Sequence, residues 1–350
     1  MVLNIATLNK EFQNYLSEEI NREATLLQLV TKRPERKANV DWTVNVGGAL
    51  AEGLSITANA PSASHDKILP AQLPMNSGSL QSRFTVNEKE IIEAAEQVSV
   101  DELRDVIRAY MSSAIDELMN GLNKRLYSGD GSVADGGIYG LSTAISDKDY
   151  AGISADANPL WRASVIDAWD ESNGASDKRG KLTTNMFLEM EQLIRYRGGS
   201  YNTLVTSPAI MTEYKKLFEE NRSYQIITMD GSRNAADLGF RVAGYAGKPI
   251  IDDAFCSRVR GADEAAITSA LGTDIDEGVI YFLNMRDLRF MSAPTEGSTA
   301  RSGVYTQTEL LAKNALYVNN YVTGVIPQLM LRTRKNCGVI KNIKYKRLGA

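Results

Sequence analysis

At 350 residues, with 43% hydrophobic and 23% charged side chains, the chain can bury one large core or two smaller ones, and this composition excludes global disorder. A formal net charge of −4 excludes a uniformly basic nucleic-acid coat, and two distant cysteines, Cys256 and Cys337, exclude a disulfide framework and read as reduced thiols. No window has the length of a membrane span, and Met1-Val2-Leu3-Asn4-Ile5 lacks the basic start and apolar core of a secretory leader.

Asn9 to Thr31 carries Phe12, Leu16, Ile20, Ala24 and Leu27 at helical spacing, which predicts an amphipathic helix. The charged run Lys32-Arg33-Pro34-Glu35-Arg36-Lys37 is expected to end it as a linker. A helix tethered in this way needs a surface on which to bury its stripe, and a neighbouring molecule can supply one. Asp41-Trp42-Thr43-Val44-Asn45-Val46 alternates like a strand, and Gly47-Gly48 signals a turn. Ala49 to Leu80 is rich in Ala, Ser, Asn, Gly and Pro and reads as loop, after which Gln81-Ser82-Arg83-Phe84-Thr85-Val86 resumes strand character. Two strands around such an excursion predict a long protruding hairpin, and loops of this length are usually functional or disordered.

Ser99 and Glu102 make a capping box for the next helix. Leu103, Val106, Ile107, Tyr110, Ala114, Ile115, Leu118, Met119, Leu122 and Leu126 then recur at three- and four-residue steps. The pattern predicts one rod over about residues 99–127, roughly 40 Å long at ~1.5 Å per residue. It breaks at Ser128-Gly129-Asp130-Gly131, where closely spaced glycines disfavour helix and allow left-handed turns. Lys124-Arg125 near its end complement the helix dipole. A rod of this length suggests a structural beam.

Beyond it, Trp161 to Ile166 is strand-like, and a helix is expected from Thr184 to Arg197, stopping at Gly198-Gly199. Tyr201 to Thr206 reads as a buried strand. Ser207-Pro208 then supplies an N-cap and a first-turn proline to a helix with Ile210, Met211, Tyr214, Leu217 and Phe218 on its apolar face. Lys248 to Ile251, Val279 to Leu283 and Leu288 to Met291 are further strands, followed by β-like segments from Val322 to Thr333 and from Cys337 to Leu348. Helices and strands mix without strict βαβ alternation, so the fold class is α+β.

Seven cations and no acid stand between Arg332 and Arg347. One reading is a polyanion-facing patch. The other, favoured by alternation with Val339, Ile340 and Ile343, is a strand ladder whose cations are solvated or paired with another subunit.

Chemistry is sparse. A zinc site or a Ser-His-Asp triad would each depend on the sole histidine, His65, without supporting spacing. There is no G-x-S-x-G elbow, and Pro249 after Gly247-Lys248 rules out a P-loop. Gly129-x-Gly131-x-x-Ala134 fits a loose dinucleotide fingerprint, but it closes a helix instead of following a strand. Asp130 and Asp135 lack EF-hand spacing, and Asp252-Asp253 reads as an exposed turn. Trp42, Trp161 and Trp169 are not spaced as a stacking platform and are expected in the core. No residue is assigned a catalytic, cofactor-binding or metal-binding role, and the chain is not read as an enzyme.

The order of these signals resembles the major capsid proteins of tailed bacteriophages, the Hong Kong 97-type shell fold. Leu126-Tyr127-Ser128-Gly129-Asp130-Gly131, followed by Gly137-Ile138-Tyr139-Gly140-Leu141, is similar to that family's junction after its spine helix. Asn158-Pro159-Leu160-Trp161-Arg162-Ala163 resembles its Asn-x-x-Trp-Arg strand. Tyr245-x-Gly247-Lys248-Pro249-Ile250-Ile251-Asp252-Asp253 resembles its Gly-x-Pro-Ile/Val-x-x-Asp strand, and Val279 to Asn284 a late strand ending in Asn. Ser257 to Gly278 matches nothing in the family pattern.

The resemblance implies an L-shaped subunit. Residues 1–40 would be an N-terminal arm, 41–88 an extended hairpin loop, and 89–200 a peripheral domain with the spine helix. Residues 201–320 would form an axial domain and 321–350 C-terminal strands returning to the peripheral/axial junction. It implies a virion protein assembled in the host cytoplasm, which self-assembles into pentamers and hexamers of an icosahedral head around double-stranded DNA, without sequence-specific binding or a membrane. Scaffolding, portal and decoration proteins are further partners it allows; no coiled coil precedes the arm, so a fused scaffold is not expected. Phe12, Leu16 and Ile20 in the arm, Trp42 and Lys67 on the hairpin, and Arg332, Arg334 and Lys335 are the expected subunit-interface residues. An encapsulin-like compartment shell shares the implied fold, and a soluble nucleotide-dependent enzyme using Gly129–Gly131 is the remaining alternative.

Overall fold

The computed structural model describes residues 25–46, 68–75, 77–87, 100–170, 177–219, 243–261, 264–271, 274–293, 305–309 and 318–346. In chain order the first elements are α1 (Thr25–Leu29), β1 (Thr31–Pro34), β2 (Asn39–Asn45), β3 (Ile68–Pro74), β4 (Leu80–Asn87), α2 (Val100–Ser128) and α3 (Leu141–Ala144). There follow β5 (Ser164–Asp167), α4 (Thr184–Tyr196), β6 (Thr203–Thr206), α5 (Pro208–Glu219), β7 (Ala243–Tyr245), β8 (Lys248–Asp252), β9 (Arg258–Val259) and α6 (Ala265–Leu271). The last are β10 (Ile275–Asp276), β11 (Ile280–Leu283), β12 (Leu288–Ser292), β13 (Tyr305–Glu309), β14 (Val318–Val325), β15 (Pro327–Leu331) and β16 (Gly338–Lys341). Two compact units result: Met1–Ala38, Pro74–Gly140 and Arg289–Leu329 make the first, and Asn39–Leu73, Leu141–Leu288 and Met330–Ala350 the second. The boundary expected near residue 200 falls inside the second unit.

In the first unit α2 buries Ala114, Ile115, Leu118, Met119, Leu122 and Leu126, the three- and four-residue stripe read from the sequence. Tyr110, placed on that stripe by its spacing, is exposed instead; its hydroxyl makes the ring tolerant of water. Ser99 of the expected cap lies outside the described residues. α2 packs on β4 and β14 of the antiparallel sheet β13-β14-β4. Across that packing the Ser82 hydroxyl donates to the Glu117 carboxylate at 2.9 Å.

Three sequence expectations change here. β4 pairs with β14, from Leu80 opposite Val325 to Asn87 opposite Val318, and not with the Trp42 strand. β2 pairs with β3, which lies in the segment read as loop. Pro70 and Pro74 mask that strand in the sequence, yet a two-stranded ribbon has only edges, where proline is tolerated. The charged run read as a linker forms β1, parallel to β12, with Thr31 opposite Arg289 and Pro34 opposite Ser292. Charged side chains do not prevent a strand when a distant edge accepts its backbone. Of the helix expected from Asn9 to Thr31 only α1 is among the described residues.

The second unit is built on a six-stranded mixed sheet, ordered β5-β16-β11-β6-β8-β7. β5/β16 and β6/β8 are parallel, and the other neighbours are antiparallel. Every residue of β6 and β11 is buried, as suits central strands covered on both faces. Phe187, Met190 and Ile194 from α4 and Ile210, Met211 and Tyr214 from α5 share one core with Leu204, Ile250, Phe282 and Ile340. Ser207 caps α5 as expected, its Oγ accepting from the Ile210 amide at 3.4 Å and donating to the Glu277 carbonyl at 2.7 Å. The strand expected from Trp161 starts only at Ser164, because Pro159–Trp161 form a 3-10 turn. The last strand stops at Lys341 rather than near Leu348, because Asn342 adopts φ 60°, a left-handed conformation that breaks the pleat.

Candidate functional site

The loop after α2 was the one sequence match to a phosphate-binding pattern, and its geometry decides against that use. The Gly129 amide donates to the Arg125 carbonyl at 2.9 Å, and the Gly131 amide to the Ile138 carbonyl at 2.8 Å. The Asp130 amide donates to the Asp135 carboxylate at 3.2 Å. A Cβ at Gly129 would stand 2.5 Å from the Ile138 oxygen, so this glycine admits close backbone approach and leaves no cradle. The Ser132 hydroxyl and amide hold the Asp130 carboxyl below the usual carboxylate range, adding negative charge where a phosphate would sit. Arg125, expected only to complement the helix dipole, donates to the Gly121 and Ala134 carbonyls and stands 3.6 Å from Asp135. The loop is a hydrogen-bonded junction.

In the same unit that junction is held by Gln328 on β15, a fully buried side chain that no sequence pattern marked. Its Nε2 donates to the Pro74 carbonyl at 2.9 Å and to the Gly137 carbonyl at 3.0 Å. Its Oε1 accepts from the Tyr139 amide at 3.0 Å and from the Leu329 amide at 3.1 Å. Both hydrogens and both lone pairs are used, which removes the penalty of burying the amide.

Of the expected interface residues, Phe12, Leu16, Ile20 and Lys67 lie outside the described residues. Trp42 is half-buried on β2, its ring 6.5 Å from that of Tyr150 and its Nε1 enclosed without a hydrogen-bond partner among the described residues. Arg332 and Lys335 are exposed. Arg334 is not: it is 0% exposed, which corrects its placement in a surface charge patch. Its Nε donates to the Ala144 carbonyl at 2.8 Å and its Nη1 to the Lys148 carbonyl at 2.9 Å, while Nη2 bonds the Ser146 carbonyl and, at 3.1 Å, its hydroxyl. The guanidinium lies 5.4 Å and 5.6 Å from the ring centroids of Tyr150 and Trp161. Burial lowers its pKa to about 10, so it remains charged at neutral pH.

The segment from Ser257 to Gly278, featureless in the sequence, carries the densest polar cluster of the second unit. Arg258 reaches Glu264 at 2.6 Å, Asn342 at 2.5 Å and Asp276 at 3.3 Å. Asn342 donates in turn to Asp167 at 2.7 Å and Glu264 at 2.8 Å. Burial alone would raise the Glu264 carboxyl, but the Arg258, Asn342 and Gly261 hydrogen bonds outweigh it and the net shift is downward. The cluster stitches β9, α6, β10 and the end of β16 together. Asp253, expected in an exposed turn, is buried and accepts from the Phe255 amide at 2.9 Å. Both cysteines are buried free thiols, and burial pushes Cys337 up to about 12 and Cys256 well above its ordinary value, so neither is a ready nucleophile.

Among the described residues no group of three His, Cys, Asp or Glu converges to hold a metal, and no helix is long and apolar enough to cross a membrane. What stands out on the surface is apolar. On α4, Tyr196 is 88% and Leu188 51% exposed, and Val133 at the tip of the junction loop is 76% exposed.

No protein-family model matches the chain, and no curated protein matches it by sequence. Solved structures do match its fold. A subunit of the cyanophage A-1(L) capsid is similar over 92% of this chain and 93% of its own, with a TM-score of 0.68 at 20% identity. A capsid subunit of a native GTA particle matches over 92% and 90% with a TM-score of 0.55 at 12% identity. The SrpI encapsulin of Synechococcus elongatus matches over 93% and 90% with a TM-score of 0.53 at 10% identity. The α+β architecture is thus that of the Hong Kong 97-type capsid fold.

Proposed function

We propose that this chain is the major capsid protein of a tailed phage, which self-assembles as pentamers and hexamers into an icosahedral head around double-stranded DNA. The observation that carries the proposal is the end-to-end match to the cyanophage capsid subunit, at a TM-score of 0.68. Its support from chemistry is that the polar clusters, around Gln328, Arg334 and Arg258, are spent on internal hydrogen bonds. In this reading residues 1–40 are the arm, the excursion between β2 and β3 is the tip of the extended loop, α2 is the spine and 201–320 lie in the axial domain. Phe12, Leu16, Ile20, Trp42, Lys67, Arg332 and Lys335 are its interface residues. Arms and loops of this kind gain their burial on neighbours, so stability comes largely from assembly. Scaffolding, portal and decoration proteins are its partners, host cytoplasm its place of assembly, and it catalyses no reaction.

The compartment shell is the second reading, favoured by the encapsulin match at a TM-score of 0.53. Electron microscopy of the expressed chain tests the shared part: uniform shells or rings of five or six are expected, and a monomer even with a co-expressed scaffold removes both readings. Nuclease-protected DNA in purified particles selects the phage head, and enzyme-filled shells select the compartment.

A further inference from the structure

The second unit carries an open groove of about 560 Å³ lined by Lys181, Leu182, Glu213, Lys216, Leu217, Lys344, Tyr345 and Lys346. Its floor is apolar, from Leu182, Leu217 and Tyr345, and its rim holds four lysines against one acid. Two rim lysines are already matched, Lys216 by Glu213 at 2.7 Å and Lys344 by Asp177 at 3.6 Å. Lys181 and Lys346 are exposed and have no ion pair among the described residues. A nucleic-acid backbone would satisfy the cations but leave the apolar floor bare. A small ligand needs several fixed polar groups for orientation, and here the free ones are two mobile ammonium groups. The complement is an amphipathic segment with an apolar stripe and two carboxylates.

The chain contains such a segment. Between Asn9 and Ala24 the helical pattern puts Phe12, Leu16 and Ile20 on one stripe, and Glu19 and Glu23 fall three residues after Leu16 and Ile20, on the same face. We infer that this groove receives residues 9–24 of a second copy, with Phe12, Leu16 and Ile20 on Leu182, Leu217 and Tyr345, and Glu19 and Glu23 beside Lys181 and Lys346. The inference rests on the shell reading and specifies where the arm docks. Exposed ion pairs are individually weak and screened by salt, so they set register while the apolar stripe holds the contact.

Carbodiimide treatment of particles made from the full chain tests this, since the reagent joins amine and carboxylate with loss of water only where they touch. Peptide mapping is expected to recover Glu19 or Glu23 joined to Lys181 or Lys346. Particles co-assembled from light and heavy-nitrogen chains should give mixed-isotope pairs, showing that two copies contribute. The K181E/K346E variant has no amine at either position, so that product disappears, and its like charges facing Glu19 and Glu23 should lower particle yield about tenfold, the equivalent of ~1.4 kcal/mol. Adding E19K/E23K should restore a crosslink of inverted polarity at the same positions; circular dichroism checks that each variant folds. Particles that lack this crosslink, or show it only within one chain, overturn the inference and leave the shell reading standing. A K181E/K346E variant that assembles at the unaltered yield but packages less DNA assigns the lysines to nucleic acid and overturns it too. If the unaltered chain forms no particles, the shell reading falls and the docking falls with it.

Discussion

Gln328 and Arg334 stand six residues apart, are both fully buried, and both act by gathering main-chain groups, yet they solve the problem differently. Gln328 is neutral and balanced, with two donors and two acceptors on four backbone partners of the first unit. Arg334 is charged and can only donate, so in the second unit it collects the carbonyls that end α3 and the turn after it, and leans on two aromatic faces. A neutral hub fixes a junction at little desolvation cost. A charged hub is stronger per bond but must offset the loss of hydration, which is visible in its lowered pKa.

Removing Arg334 should therefore have the largest effect. Arg334→Ala leaves the Ala144, Ser146 and Lys148 carbonyls without their donor, at ~1–3 kcal/mol for each buried group that water does not reach. We expect a net loss of ~3–5 kcal/mol in the second unit, read as faster amide exchange through residues 144–149. Arg334→Lys should recover less than half, because an ammonium cannot reproduce the planar fork. An equal or smaller loss than at Gln328 would break the contrast.

Gln328→Leu should cost ~2–4 kcal/mol, since two amides and two carbonyls lose a partner while the volume is kept. Gln328→Glu sharpens the comparison by making the neutral hub titratable. Its carboxylate would face the Pro74 and Gly137 carbonyls, so its folded pKa must rise above the unfolded value. Stability of this variant should then increase as pH falls, a gain the unaltered glutamine cannot show, in urea midpoints measured from pH 7 to pH 5.

Neither hub was legible in the sequence, although much around them was. α2, α4, α5 and the central strands follow from short-range signals: the period of apolar residues, a serine-proline start, glycines at helix ends. What failed depends on distant partners. Nothing local tells Lys32-Arg33 that β12 will accept it as a parallel strand some 260 residues on, by the pairing of Thr31 with Arg289. The Gln81–Val86 strand was legible, but its partner was not, because β14 lies across most of the chain. Arg334 was grouped with Arg332 and Lys335 by charge, and only the tertiary fold separates a core cation from solvated ones.

The Arg258 cluster gives a smaller and pH-dependent effect. Glu264 has a folded pKa below its ordinary value of 4.5, so its contribution is fully present above that pH and is lost as pH falls through the depressed folded value. Glu264→Gln should cost ~1.5–3 kcal/mol at pH 7, the worth of a hydrogen bond to a charged group, and flatten the acid limb of the stability curve. Denaturant midpoints between pH 7 and pH 3 check this, and an unchanged acid limb would assign the titration to other carboxylates.

The smallest effect is expected at the two cations that flank the charged hub. Arg332 and Lys335 are exposed, so Arg332→Ala and Lys335→Ala should each change the stability of the isolated chain by no more than ~0.5 kcal/mol, measured by denaturant unfolding. Three cations within four positions would then span from almost nothing to the largest loss in the molecule. Because the exposed pair contributes so little within one chain, any effect on shell yield must come from contacts between chains. A drop in assembly with unaltered monomer stability would place Arg332 and Lys335 at a subunit boundary. Unaltered assembly would leave them as solvated charge, with the core cation alone explaining why the basic run is there.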